Sequence, residues 1–323
     1  MQMKDFIYNL IFSQRKSLTI ERETAGKTPV SFTAFMRREI MQSSMKDSTL
    51  KNHLSTLRIL GQYRPNVAVQ EITFSFLCDF EHFLSRQNYH CNTIAKHMKH
   101  VKRYVNLAIN KDLFDVSQYP FRRYKIKHQD TTRAHLTPEE LQKLEEMVLP
   151  KTGTLKKCRD MFLFSCYTGL RFSDVVRLTN DNFTLIDNKI WLIYSSMKTN
   201  INVRLPLSLL FEGRAIPIYR KYRENVDTLF GVASHANSNI NKQLKQLSTI
   251  AVLEKDITFH TARHTTATLL LYNGANITTV QKLLGHKSVQ TTEIYSNIMD
   301  MTIVRDLEKI RIKKKKKEFD LTA

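Results

Sequence analysis

Residues 258–268 read TFHTARHTTAT, and residues 283–295 read LLGHKSVQTTEIY. In the first stretch His260 and Arg263 stand three apart, so on a helix they share a face. His260 and His264 stand four apart, as in a zinc-protease helix. That chemistry needs a glutamate at 261, where this chain has Thr261. No third ligand is marked by spacing, so no metal site is expected. In the second stretch Gly285 ends a helix, Ser288 can cap the next, and His286 occupies the corner between them. Tyr295 follows on an amphipathic segment. Taken singly, His286 reads as a loop residue bonded to backbone and Tyr295 as a half-buried packing residue.

Toward the N-terminus the same domain continues. TGLRFSD, residues 168–174, places Arg171 just after a glycine that stops an apolar helix running from Arg159 to Thr168. Ser173 is expected to cap the next helix, which bears Val175, Val176 and Leu178. Residues 182–208 change to strand character: Phe183 to Ile186, a turn at Asp187-Asn188, Ile190 to Tyr194, and Val203 to Leu207. Lys198 lies in the connection between the second and third strands. The domain opens at Leu136, because Thr137-Pro138-Glu139-Glu140 combines an N-cap, a proline in the first turn and a capping-box glutamate. Everything after Leu209 is expected to be helical, up to a five-lysine run at Lys313 to Lys317 that reads as a solvated tail.

Residues 31–110 read as a separate, basic four-helix unit. Phe32, Phe35, Met36 and Ile40 mark its first helix. Leu50, Leu54, Leu57 and Leu60 mark a second that ends near Gly61; a third covers about Phe74 to Ser85. The fourth, Asn92 to Asn110, sets Lys96, Lys99, Lys102 and Arg103 beside Ile94, Met98, Val101, Val105 and Leu107. Residues 119–135 look like an extended basic linker. Its Arg122, Arg123, Lys125 and Lys127, interleaved with Tyr119, Phe121 and Tyr124, suggest a strip that contacts backbone phosphates. Residues 1–28 form an N-terminal extension.

Fifty Lys and Arg against 30 Asp and Glu leave a formal charge of +20, which favours a polyanionic partner, nucleic acid before membrane. No apolar run of about 18 residues exists to span a bilayer, and no signal-peptide core stands out. Cys78, Cys91, Cys158 and Cys166 form no CxxC pair and read as reduced, mostly buried thiols. A cytoplasmic, nucleoid-associated protein is expected.

Arg171, His260, Arg263, His286 and Tyr295, in that order and with the flanks TGLR, HTARHTTAT, LLGHKS and TTEIY, resemble the tyrosine recombinase, or phage-type integrase, family. Lys198 matches the lysine that the family places in a β-hairpin. Thr261-Ala262 stands where many members have Asp-Leu. The resemblance covers about residues 30–310. It implies a mainly α fold with a small antiparallel β-sheet (an α+β catalytic domain), arranged as a two-domain C-shaped DNA clamp. The implied domains are the extension at 1–28, a helical SAM-like core-binding domain at 29–118, the basic linker at 119–135, a catalytic domain at 136–312 and a basic tail at 313–323.

The resemblance also implies site-specific cleavage and rejoining of double-stranded DNA through a covalent 3′-phosphotyrosyl link, with no cofactor and no metal. Arg171, Arg263 and His286 would hold the scissile phosphate, and Tyr295 would attack it. His260 would accept the phenolic proton and Lys198 would protonate the leaving 5′-oxygen. Lys96, Lys99, Lys102, Arg103, Arg122, Arg123, Lys125 and Lys127 would bind DNA. A homo-tetramer on two sites is implied, with a C-terminal helix bearing Ile303, Val304, Leu307 and Ile310 docked on a neighbouring protomer or, as the alternative, on its own domain, and with accessory excision or host DNA-bending factors as further partners. Integration and excision of a mobile element is the favoured role. Inversion and chromosome-dimer resolution are the alternatives, followed by a type IB topoisomerase and a non-cleaving regulator.

Overall fold

The computed structural model describes residues 29–131, 133–150 and 153–295. The extension at 1–28, the helix around Ile303 to Ile310 and the lysine tail lie outside the described residues. The chain divides after Thr131 into two compact units.

Among the described residues the first unit holds four α-helices: α1 (Phe32–Gln42), α2 (Asp47–Tyr63), α3 (Phe74–Arg86) and α4 (Cys91–Ile109). Serine and threonine caps start two of them. Ser31 accepts from the Ala34 N–H and Thr73 from the Phe76 N–H. The predicted apolar faces pack into one core, with Phe32, Phe35, Met36, Leu60, Met98, Val101 and Val105 buried. Gly61 does not end α2. The helix runs on to Tyr63 and stops at Arg64, whose extended backbone (φ −146°, ψ 100°) is what a residue before proline prefers.

The predicted linker is not extended over its first half. Pro120–Arg122 forms a 3₁₀ turn, and Phe121 and Tyr124 are buried in the core of the first unit. The apolar area of two aromatic rings gains more from that core than from a phosphate strip. The Tyr124 hydroxyl donates to Glu81 at 2.5 Å, and Lys127 pairs with the same carboxylate at 3.3 Å.

The second unit begins with α5 (Pro138–Glu146), whose Thr137–Glu140 capping box forms as expected. The long helix α6 (Thr154–Thr168) is buried from Asp160 onward and is stopped by Gly169 at φ 71°. The short helix α7 (Phe172–Val175) follows, with Arg171 rather than Ser173 as its N-cap residue, because the chain leaves the Gly169 turn already poised to re-enter a helix.

Three antiparallel strands, β1 (Phe183–Ile186), β2 (Lys189–Ser195) and β3 (Asn202–Pro206), make a sheet in sequence order. Asp187 and Asn188 both have positive φ (48° and 58°), as a two-residue hairpin turn of the primed type requires. Beyond Leu209 come α8 (Ala215–Tyr222), α9 (Asn237–Ile250), α10 (Phe259–Tyr272), α11 (Ile277–Leu284) and α12 (Gln290–Glu293). The run is not wholly helical, since turns occupy most of the chain between Tyr222 and Asn237. Helices α6 and α10 pack together at the centre. The Thr266 hydroxyl lies within hydrogen-bond distance of the Ser165 and Cys166 carbonyls of α6.

Candidate active site

Arg171 is placed by two neighbours. Its guanidinium donates to the Ser196 hydroxyl at 3.1 Å and stands 4.0 Å from the buried Asp174 carboxylate. Asp174 also accepts the Met197 N–H at 2.9 Å, so one carboxylate ties the start of α7 to the β2–β3 turn. That turn carries Lys198, exposed near its tip. Its other side is tethered where the Thr199 hydroxyl donates to the Gly285 carbonyl at 3.2 Å.

Arg263, on the first turns of α10, is 1% exposed. It donates to the Gly169 carbonyl at 2.7 Å and to the Leu284 carbonyl. These carbonyls flank the two left-handed glycine corners that precede Arg171 and His286. Neither glycine has room for a side chain: a Cβ at Gly169 would lie 2.5 Å from Leu284 Cδ2, and one at Gly285 would lie 2.8 Å from Val203 Cγ2. Burial, then the charge of Arg171, lowers the Arg263 pKa to about 10, which leaves it protonated at neutral pH.

His286 is buried in its corner, with Nδ1 2.9 Å from the Thr292 hydroxyl. Burial first, then the charges of Arg263 and Arg171, lower its pKa to about 3, so the ring is neutral. His260 presents an exposed edge at the start of α10. Burial of its other face, followed by Arg263, Arg133, Arg171 and Lys198, brings its pKa to about 4.

Tyr295 is 6% exposed and packs on Ala267, Leu271, Val280 and Leu284. Burial raises its pKa, and Arg263, Arg133 and Arg171 act against that rise. Its hydroxyl lies 2.6 Å from Nδ1 of His264, not of His260. The two histidine rings stand edge to face, 4.6 Å apart.

Arg171, His260, Arg263, His286 and Tyr295 therefore share one electrostatic neighbourhood, and the charge of Lys198 reaches it through His260. The pocket can hold a polyanion against two fixed guanidinium groups and neutral imidazoles, with a phenol alongside. Among the described residues no cluster of three or more His, Cys, Asp or Glu side chains is placed to hold a metal ion. Asp174, His264 and Thr292 were missed as site residues. Each carried a weak signal: Asp174 lies three residues after Arg171, Thr292 three before Tyr295, and His264 beside Arg263.

The expected DNA-contacting cations lie in the first unit. On α4, Lys99 and Arg103 are exposed and Lys96 and Lys102 half-buried. Arg122, Arg123, Lys125 and Lys127 are exposed, although Lys127 is paired with Glu81.

Residues 134–301 match the family described as Phage integrase family, and residues 31–127 match the Phage integrase SAM-like domain. A protein named tyrosine recombinase XerC from Pediococcus pentosaceus is 28% identical over 304 residues, 90% of this chain and 93% of that one. A protein named tyrosine recombinase XerD from Lacticaseibacillus casei is 32% identical over 166 residues, 49% of this chain and 57% of its own length. A lambda integrase dimer bound to a COC' core site superposes with a TM-score of 0.69 at 17% identity, covering 82% of this chain and 95% of that one. The Tn1549 transposon integrase in complex with circular intermediate DNA gives 0.66 at 18% identity, covering 82% and 94%. At these identities the two structures establish a shared fold.

Proposed function

The chain belongs to the phage integrase family and is a site-specific tyrosine recombinase, a DNA breaking and rejoining enzyme; from that premise we propose that Tyr295 is its nucleophile and that Arg171, Lys198, His260, Arg263 and His286 complete the reaction centre. One observation carries the assignment: segments as distant as Arg171 and Tyr295 converge, and the charges of both arginines fall on the buried phenol.

The phosphodiester is an anion, and attack on phosphorus adds charge to its oxygens. Arg171, with free donors on its fork, and the remaining N–H groups of Arg263 take up that charge, and His286 donates from its second ring nitrogen. Fixed donors of this kind contribute about 3 kcal/mol each where they have been removed singly. The Tyr295 oxygen bonds to phosphorus as its proton leaves the hydrogen bond to His264 Nδ1 and passes to His260, whose ring stands edge to face with that of His264 at 4.6 Å. The bond to the 5′-oxygen breaks, and that oxygen takes a proton from Lys198. A 3′-phosphotyrosyl ester and a free 5′-hydroxyl result. The ester conserves the bond's reactivity, so a second 5′-hydroxyl can reverse the step on a partner strand.

The reaction is assigned to integration and excision of a mobile element, by two duplex sites held in a homo-tetramer. Similarity in fold to a transposon integrase and to a lambda integrase structure described as a tetramer bound to a Holliday junction supports that reading. The exposed cations on α4 and at residues 122–127 are assigned to backbone phosphates.

A nicked suicide duplex tests the chemistry. The duplex carries a site selected from a random library by binding to the protein, with the nick placed at each step across it in turn. Wild type should accumulate a covalent protein–DNA adduct with or without chelator, and Tyr295→Phe should bind equally and form none. An adduct in the variant would remove Tyr295 from its role, and one lost with chelator would reject metal-free chemistry.

A further inference from the structure

Tyrosine needs more than charge around it to act as a nucleophile. Its oxygen must be aimed, and a phenol has two rotatable bonds with which to point elsewhere. Among the described residues one side chain hydrogen-bonds that oxygen. His264 Nδ1 lies 2.6 Å from the Tyr295 hydroxyl, with ring centroids 5.5 Å apart. The two residues are 31 positions apart, so packing alone creates the contact.

The direction of the bond follows from the surroundings. Burial first, then the neighbouring His260, Arg133, Arg263 and His135, lower the His264 pKa to about 3, so the imidazole is neutral and one of its nitrogens is a free acceptor. The Tyr295 hydroxyl has a single hydrogen to donate, and among the described residues the His264 nitrogen is its hydrogen-bond partner. Were Nδ1 to carry the ring proton instead, the phenolic hydrogen would be left without an acceptor in a buried place, which costs about 1–3 kcal/mol. The stable arrangement has the phenol donating to Nδ1.

A second tie holds the same segment. Thr292, three residues earlier on α12, bonds the His286 ring at 2.9 Å, and the Tyr295 N–H donates to the Thr292 carbonyl at 3.1 Å. The backbone of the nucleophile is thus fixed through His286, while among the described residues the hydrogen bond at the end of its side chain is the one to His264.

We propose that His264 is a positioning residue for the strand-cleavage step: its unprotonated Nδ1 accepts the hydrogen of Tyr295 and holds the attacking oxygen within the arginine pocket. The inference rests on Tyr295 being the nucleophile. Displacement of a reacting atom by about 1 Å can cost on the order of 100-fold in rate, so this single bond matters to cleavage and little to DNA affinity.

Substitution by amides tests the geometry. Asparagine places a polar group where Nδ1 was, glutamine places it where Nε2 was, and leucine removes it. The nicked suicide duplex described above is the probe, with single-turnover adduct formation and equilibrium binding read in parallel. His264→Leu should slow adduct formation about 100-fold. His264→Asn should recover most of the rate and His264→Gln little of it, with affinity in all three within about threefold of wild type. Equal losses in the Asn and Gln variants would overturn the proposal, because a packing role does not distinguish the two nitrogens. A Leu variant as fast as wild type, or faster, would overturn it too. If the Leu variant does not fold, the Asn and Gln pair still decides. Tyr295→Phe runs alongside: an adduct there fails the nucleophile assignment itself, a result distinct from any in the His264 series.

Discussion

Arg263 is a charged side chain with almost no exposure, and its position shows why an arginine rather than a lysine stands there. Two of its N–H groups brace the Gly169 and Leu284 carbonyls, and further N–H groups remain on the same rigid fork. One residue can therefore hold both corners of the pocket and still present charge to a phosphate. Lysine has a single nitrogen at the end of a flexible stem and cannot serve several fixed directions at once. The same reasoning applies to Arg171, which bonds Ser196 and leaves the rest of its fork unassigned. Arg171→Lys should keep the charge and lose the paired geometry. Adduct formation on the suicide duplex is expected to fall by about 100-fold, with DNA affinity nearly unchanged. A loss of affinity matching the loss of rate would instead make Arg171 a general DNA contact.

Among the elements, the β2–β3 hairpin is the one whose placement matters most for the proposed chemistry, because Lys198, the proposed acid, stands near its tip. The hairpin is fastened on two sides: at Asp174, which accepts the Met197 N–H, and at Gly285, whose carbonyl accepts from Thr199. Asp174 is buried and also faces Arg171. Asp174→Ala should leave the Met197 N–H without its acceptor and unfasten one side of the turn, at about 1–3 kcal/mol. Hydrogen exchange should then quicken at the amides of residues 196–201. The amides of Leu192 and Ile193, within the sheet, should keep their protection. Uniform quickening of both would mean that Asp174 supports the whole unit and not the hairpin.

At the scale of the whole molecule, both units bury histidines in neutral form. In the first, Thr56 bonds the Nδ1 atoms of His97 and His100 at 2.8 and 2.7 Å, and His53 stacks on His100 at 4.0 Å. Burial first, then nearby cations such as Lys96, brings His97 and His100 to about 4. In the second unit His260 falls to about 4, and His264 and His286 to about 3. A histidine with a lowered folded-state pKa is neutral in both states above its ordinary 6.5, so it leaves stability independent of pH there. As pH falls through 6.5 the unfolded chain takes up protons that the folded one refuses, and stability drops until about pH 4. The unfolding free energy from urea titrations should be flat above pH 7 and decline steadily between 6.5 and 4, by on the order of 2 kcal/mol for a ring as buried as His97. A free energy that is flat across that window would mean these rings are charged, or wet, in the folded protein.

Much of this molecule follows from rules that act over a few residues. The spacing of Phe32, Phe35, Met36 and Ile40 marks a helix face, Thr137 and Glu140 mark a helix start, Gly169 and Gly285 mark helix ends, and Asp187-Asn188 marks a hairpin. All of these were legible because propensity, capping and turn geometry are local. The recombinase motifs were legible as an ordered set of short strings. What no spacing revealed is which segment meets which. Phe121 and Tyr124 read as part of a strip facing DNA until a core formed that could take them, and no local rule gave Lys127 its neighbour Glu81. The bond from Tyr295 to His264, and that from the Leu136 N–H to the Thr265 hydroxyl across 129 positions, belong to the packed state alone. An apolar periodicity tells which face of an element must be covered. The identity of the cover, and with it the environment of every buried polar atom, depends on how distant segments fill space together.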